Sequence, residues 1–407
     1  MPWREMSPMQ QRLEFIRDYE TELFTLTELA AQYGISRKTA YKWLNRHEAD
    51  GESGLLDQSR RPRRCPHATD PALVEALLAI RRRHPRWGPK KLLALARRRQ
   101  PASDWPARGT VAALLKRHAL IVPRRRRSPH AIGATPSTLV TPTRPNEVWT
   151  TDFKGEFLTG NGVYCYPLTL RDGFSRFVLR CDAFLTRSTE PTRRRFDRAF
   201  REFGLPDRIR SDNGGPFASV GLGGLSQLSA WWMRLGIVPE RIALGHPEQN
   251  GSHEQFHSVL KAETARPPAP NCAAQQQRFR RFCRVYNEER PHEALADASP
   301  STRYTPSRRP MPARLPPLEY PGHLEVRLVG SKGAISWKSE PLFVATALAG
   351  QPVALEEIAD GWWTLYFATV PLARYDERRR TLHPLATVSA GRSASCAGSA
   401  PDTEENP

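Results

Sequence analysis

The chain has 407 residues, with 61 Lys and Arg against 42 Asp and Glu, for a formal net charge of +19. That length divides into two to four domains at roughly 100–200 residues each, and the 39% of hydrophobic residues is enough to fill their cores. No apolar run approaches the ~20 residues of a membrane span, the first residues lack a signal-peptide core, and six scattered cysteines without a C-x-x-C pair exclude a zinc or disulfide framework, so the expectation is a cytoplasmic protein with reduced thiols and a polyanionic partner, most simply nucleic acid.

The charge is concentrated. Residues 1–140 hold 27 Lys and Arg against 13 Asp and Glu, a net of +14. It comes in basic clusters at 60–64, 81–83, 97–99 and 124–127. Between them lie two predicted helical units. In the first, residues 1–50, Leu26, Leu29, Ala30 and Tyr33 recur at helical spacing. Gly34 can end that helix in the left-handed conformation, and Ser36 can cap the next. Ile35, Ala40, Trp43 and Leu44 then point inward. Arg37, Lys38, Tyr41 and Lys42 face out at the start of the second helix, where a helix-turn-helix meets the major groove. Residues 51–69 read as a basic linker whose Arg60, Arg61, Arg63 and Arg64 can follow phosphates. A second helical or winged helix-turn-helix unit is predicted over 70–123, with helices from Pro71, from the Trp87-Gly-Pro-Lys90-Lys91 turn, and from Thr110 as a cap. A linker at 124–145 opens with Arg124 and Arg125, which together with Lys90 and Lys91 are further expected DNA contacts.

From residue 146 the pattern changes to mixed α/β. Strands are predicted around 147–153, 164–170, 176–181, 208–212 and 237–239, with helices at 189–204, 225–235 and from 251. Asp152 ends the first strand, Asp212 the fourth, and Glu254 stands in the first turn of the last helix. Such a carboxylate set suits a hard divalent ion that keeps positions open for phosphate and water, and two such ions can serve a phosphoryl transfer.

At these residues the chain resembles a known family. The 149–153 strand, the Ser-Asp212-Asn-Gly-x-x-Phe217 turn and His-Pro-Glu-Gln-Asn-Gly-Ser-His-Glu254 are similar to the DDE core of retroviral-integrase-like enzymes, and above all to bacterial transposases of insertion-sequence family 481. Asn287-Glu-Glu-Arg-Pro-His292 matches the segment behind that core. The likeness runs from about residue 10 to about 375. It implies a ribonuclease-H-like fold with a five-stranded mixed sheet over 146–298. It implies Asp152, Asp212 and Glu254 as catalytic metal ligands for two Mg²⁺ or Mn²⁺ ions. It further implies binding to terminal inverted repeats, cleavage of the 3′ ends and strand transfer into target DNA, in a dimer or larger homo-oligomer that is nucleoid-associated when bound to DNA. Glu254 is preferred over Glu240, Glu248 and Glu263 by its place three residues after Gly251. The 41 residues between Asp212 and Glu254 exceed the usual spacing, and the Gly-rich run at 218–224 can hold the excess. Lys261, seven residues after Glu254 and so on nearly the same helix face, resembles a lysine that grips donor DNA. Two rival readings are a catalytically inactive DNA-binding regulator and a ribonuclease-H-type nuclease that cuts without joining.

Behind the core, residues 299–321 read as a Pro-rich linker. Six short strands over 322–377 predict a small, SH3-like β-barrel, and 378–407 a disordered tail.

Overall fold

The computed structural model describes residues 6–59, 68–121, 139–219, 222–242 and 247–385. The chain divides into two compact units, Met1–Thr69 and Asp70–Pro407.

In the first unit three helices, α1 (Pro8–Glu20), α2 (Leu26–Gln32) and α3 (Arg37–Asp50), enclose Phe15, Ile16, Leu29, Ala30, Ala40, Trp43 and Leu55. Each start is set by a hydroxyl. Ser7 and Thr25 form reciprocal capping boxes with Gln10 and Glu28, and the Ser36 hydroxyl accepts from the Thr39 amide at 3.2 Å. Gly34, at φ +64°, makes the turn between α2 and α3. Arg12 locks the unit by stacking 4.0 Å over the Trp43 ring and donating to the Leu55 carbonyl at 2.7 Å.

The second unit begins with α4 (Pro71–Arg83), α5 (Pro89–Arg99) and α6 (Arg108–Arg117) around Leu77, Leu92, Trp87, Val111 and Leu115. Thr110 lies inside α6 rather than capping it: Ala107 precedes the helix, with no side-chain cap. No wing strand forms here among the described residues. One carboxylate ties this bundle to the α/β core. Glu289 takes Arg83 at 3.0 Å, Arg99 at 3.1 Å and His84 at 3.3 Å, while its carbonyl accepts from Arg98 at 2.6 Å.

The mixed sheet of that core comprises β1 (Val148–Phe153), β2 (Phe157–Leu158), β3 (Tyr164–Asp172), β4 (Val178–Phe184), β5 (Arg208–Ser211) and β6 (Val238–Arg241). Its order is β4-β3-β1-β5-β6, with the two-residue β2 added beside the start of β3. β1, β5 and β6 are parallel, and β3 is antiparallel to both β1 and β4. β1 is central and almost wholly buried, its apolar and Thr residues interrupted only by the half-buried Asp152. Helices α7 (Thr189–Phe203) and α8 (Gln227–Arg234) cover one face with Phe196, Phe200, Trp231 and Trp232. Helices α9 (Gly251–Thr264) and α10 (Cys272–Arg284) contribute Phe256, Leu260, Phe279 and Phe282 to a separate core. This mixed sheet with helices on both sides is the ribonuclease-H-like arrangement that the resemblance implied. The free thiols Cys165 and Cys181 are buried under α10.

Residues 299–321, expected as a linker, are fastened along the core. Arg309 donates to the carbonyls of Pro206, Leu235 and Gly236 at 2.8–3.0 Å. Gly204, at φ +76°, sits where a Cβ would approach the Ser307 carbonyl to 2.6 Å. Beyond them β7 (Glu325–Leu328), β10 (Pro352–Ala359), β11 (Trp362–Phe367), β12 (Val370–Asp376) and β13 (Thr381–Pro384) make an antiparallel sheet ordered β13-β12-β11-β10-β7. β8 (Ala334–Trp337) and β9 (Glu340–Phe343) form a separate hairpin. Two expectations are corrected here. Among the described residues the sheet stays open, with β13 and β7 as its edges, so it is not a closed barrel. Residues 381–384, expected in a disordered tail, pair as β13 with β12. Leu225, Ala230 and Met233 join this domain's core, so it packs on the α8 side.

Candidate active site

The strand register brings the two aspartates together. Thr150 pairs with Arg210 in the parallel β1–β5 ladder. Two residues further along β1 stands Asp152, and Asp212 follows directly after the end of β5, so both carboxylates lie at the same end of two neighbouring strands. Asp212 leaves β5 at a turn held by its own neighbours: the Asn213 side-chain amide donates to the Ile242 carbonyl at 2.8 Å. Glu254 is exposed in the first turn of α9.

Electrostatics show how close these groups are. Burial, then the charge of Asp212, and to a lesser degree that of Glu254, push the Asp152 carboxyl up to about 7, against partial relief from Lys154. Burial also pushes Asp212 upward, partly offset by the Gly214 amide and the Arg187 charge. The Asp212 Oδ1 atom is buried without a hydrogen-bond partner. A buried, unpartnered carboxylate oxygen beside a second carboxylate is a poor resting arrangement for a protein alone and a good one for a hard cation. The donor set therefore fits a divalent ion at Asp152 and Asp212. Glu254 acts on Asp152 electrostatically, and among the described residues no three Asp, Glu, His or Cys side chains are arranged to hold one metal ion.

The support beneath Asp152 is a network that the residue pattern left unread. His253 and His257, one turn apart on α9, are both buried and both place Nε2 2.7 Å from the Thr169 hydroxyl on β3. Thr169 donates to the Asp152 carbonyl at 3.0 Å. His253 Nδ1 lies 2.8 Å from the Thr150 hydroxyl, and His257 Nδ1 lies 3.4 Å from Asp152 Oδ2. Burial holds His257 down to about 3 and His253 well below its ordinary range, so both rings are neutral at neutral pH. The signal was available: a His-x-x-x-His spacing puts both rings on one helix face. Arg187 was also missed, because a loop after β4 has no pattern to read; it pairs with Glu156 and lies 5.0 Å over Tyr166.

The predicted DNA contacts fall into three groups. Arg37, Lys38, Tyr41 and Lys42 are exposed on α3, and Lys261 is exposed on α9. Lys90 instead pairs with Glu293 at 2.8 Å, and burial with the neighbouring Arg290 brings Lys91 down to about 8. Both lysines thus face the core, which the sequence did not anticipate. Arg60, Arg61, Arg63, Arg64, Arg124 and Arg125 lie outside the described residues, as does part of the 218–224 run.

Known proteins share both the core and the flanking domains. Residues 142–247 and 235–300 match integrase core domains, and 324–383 match the C-terminal domain of the IS481 family transposases. Residues 11–63 match a helix-turn-helix domain and 39–115 a homeodomain-like domain. The insertion element IS407 uncharacterized 31.7 kDa protein of Burkholderia multivorans is 29% identical over 58% of this chain and 82% of its own length. The insertion element IS476 uncharacterized 39.2 kDa protein of Xanthomonas euvesicatoria is 26% identical over 68% of this chain and 77% of its own. Among solved structures, the HTLV-2 integrase catalytic core domain in complex with magnesium is 15% identical, with a TM-score of 0.30 over 40% of this chain and 99% of that one. A simian T-cell lymphotropic virus intasome with a PP2A regulatory subunit gives a TM-score of 0.36 at 15% identity, over 65% of this chain and 90% of that one.

Proposed function

The chain belongs to the DDE transposases of the insertion-sequence family 481 type, and from that premise we propose that it cleaves the 3′ ends of its element and joins them to target DNA. The observation that carries this reading is the Asp152–Asp212 pair on adjacent strand ends, with one carboxylate oxygen buried and unpartnered. Asp152 and Asp212 would hold one Mg²⁺ or Mn²⁺, and Asp152 with Glu254 a second. Such ions, when bound, neutralise charge on the transferring phosphate and activate the attacking oxygen.

The chain's own residues position the reaction. The His253–Thr169–His257 brace fixes the backbone of Asp152 and orients its carboxyl. Arg37, Lys38, Tyr41 and Lys42 on α3 enter the major groove of the terminal repeat, and Lys261 holds a backbone phosphate along α9. Water first breaks a phosphodiester at the element's end and frees a 3′-hydroxyl. That hydroxyl then displaces a target 3′-oxygen from phosphorus, so one phosphodiester replaces another and no outside energy source is required. Two ends must meet, so the working form is a homo-oligomer.

The test is a nicking assay on a labelled duplex ending in the element's own terminal repeat. The expected product is a new 3′-hydroxyl at the repeat boundary, formed with Mg²⁺ or Mn²⁺ and absent with EDTA. A nick that survives EDTA, or appears equally on a ribonucleotide hybrid, contradicts the proposal.

A further inference from the structure

A second basic surface lies away from the carboxylates. The loop after α4 and the ends of α9 and α10 enclose an open cleft of about 650 Å³, with Trp87 and Phe282 among its lining. Six arginines line it. Arg83 is committed to Glu289 at 3.0 Å, and Arg278 to the Thr264 carbonyl at 3.1 Å and to the Pro267 carbonyl. The other four, Arg86, Arg266, Arg281 and Arg284, are exposed and have no carboxylate partner among the described residues. Of the three glutamates in the lining, Glu289 is held by Arg83, Arg99 and His84, and Glu263 is bound by Arg290 at 2.7 Å, which leaves only Glu288 without a cation among the described residues. Four free guanidinium groups therefore converge on one concave surface against one free carboxylate.

A protein gains nothing in stability by gathering like charges with no anion between them. Guanidinium is also the group whose planar fork fits a phosphate. Arg281 and Arg284 lie three residues apart on α10, so they are neighbours on one helix face. The cleft meets α9 near Thr264, ten residues from Glu254, which is ~15 Å along the helix axis, or between four and five base pairs at ~3.4 Å each. Its other wall belongs to the helical bundle that Glu289 fastens to the core. A duplex held by that bundle, with its end at the carboxylates, would cross the cleft.

The geometry points to this cleft as a sequence-independent clamp on the phosphate backbone of the element-end duplex, a few base pairs inside the cut. The inference rests on the transposase reading above. It is tested with full-length Arg281→Gln/Arg284→Gln protein, by fluorescence anisotropy on the end duplex across a salt series. Thermal melting confirms that these exposed changes leave the fold intact. Two lost phosphate contacts should make the slope of log K against log salt about 1.8 shallower and weaken binding roughly 10- to 100-fold near ~0.1 M salt. An unchanged slope and affinity for the end duplex overturns it. So does a defect confined to capture of an unrelated plasmid, which would assign the cleft to target DNA. A changed molecular mass in light scattering with both DNA affinities intact would assign it to a second copy and overturn it equally. If wild-type protein cleaves and joins while the double variant binds ends normally, the clamp fails and the transposase reading stands. If wild-type protein does not cleave, that reading fails, and the salt slopes still decide the clamp.

Discussion

Asp152→Asn protein is expected to bind the element-end duplex as wild type does while neither nicking nor joining it. Asn keeps the shape and loses the charge at the residue shared by both proposed ion positions, so the loss should exceed roughly 1,000-fold, or ~4 kcal/mol of transition-state stabilisation. The comparison is made with the nicking assay and, for binding, with anisotropy. The same change carries a stability signature of opposite sign. Burial and the Asp212 charge lift Asp152 from 3.8 to about 7, so the folded chain holds this proton more tightly than the unfolded chain does. Below both values the group is neutral in both states and costs nothing. As pH rises from about 4 to about 7 the unfolded chain sheds its proton first, and folding stability falls. In EDTA, Asp152→Asn should therefore melt above wild type at about pH 8 and level with it near pH 4. Equal melting temperatures at the higher pH would contradict this electrostatic picture of Asp152, and retained joining with Mg²⁺ would contradict the catalytic assignment.

The second large effect belongs to His253→Ala. The ring is fully buried, stands edge-on to Phe256 at 5.8 Å and to His257 at 4.5 Å, and bridges the Thr150 and Thr169 hydroxyls. Its removal opens a cavity and strips a partner from two buried hydroxyls, for an expected loss of about 3 kcal/mol. Because Thr169 also holds the Asp152 carbonyl, nicking by the folded fraction should fall too. Urea unfolding measures the first part and the nicking assay, corrected for folded fraction, the second. A stability change under about 1 kcal/mol would mean that the brace carries little of the structure.

What the sequence disclosed depends on how local each signal is. The α2–α3 turn was readable because Thr25, Gly34 and Ser36 act within four residues of themselves. The aspartates were readable because a strand end and a turn mark them. Pairing across long separations was not. Nothing near residue 289 says that its carboxylate will collect Arg83, Arg99 and His84 from nearly two hundred residues upstream, and nothing near Lys90 says that it faces Glu293. The open C-terminal sheet was misread for the same reason: alternation gives strands, but whether the edges meet depends on register and twist. β13, Thr381–Pro384, carries one aliphatic residue and a proline rather than an alternating apolar pattern, and it pairs along the edge that β12 offers.

The most direct measurement is joining itself. Purified protein is incubated with Mg²⁺, a labelled end duplex and a supercoiled plasmid, and the label is followed into plasmid-sized DNA. The prediction is a phosphodiester-linked product that survives protease and denaturation, carries the element's 3′ end on target DNA, and disappears with Asp212→Asn. Tight, specific end binding with no linked product under any divalent cation would contradict the transposase mechanism and leave a DNA-binding protein with an idle core.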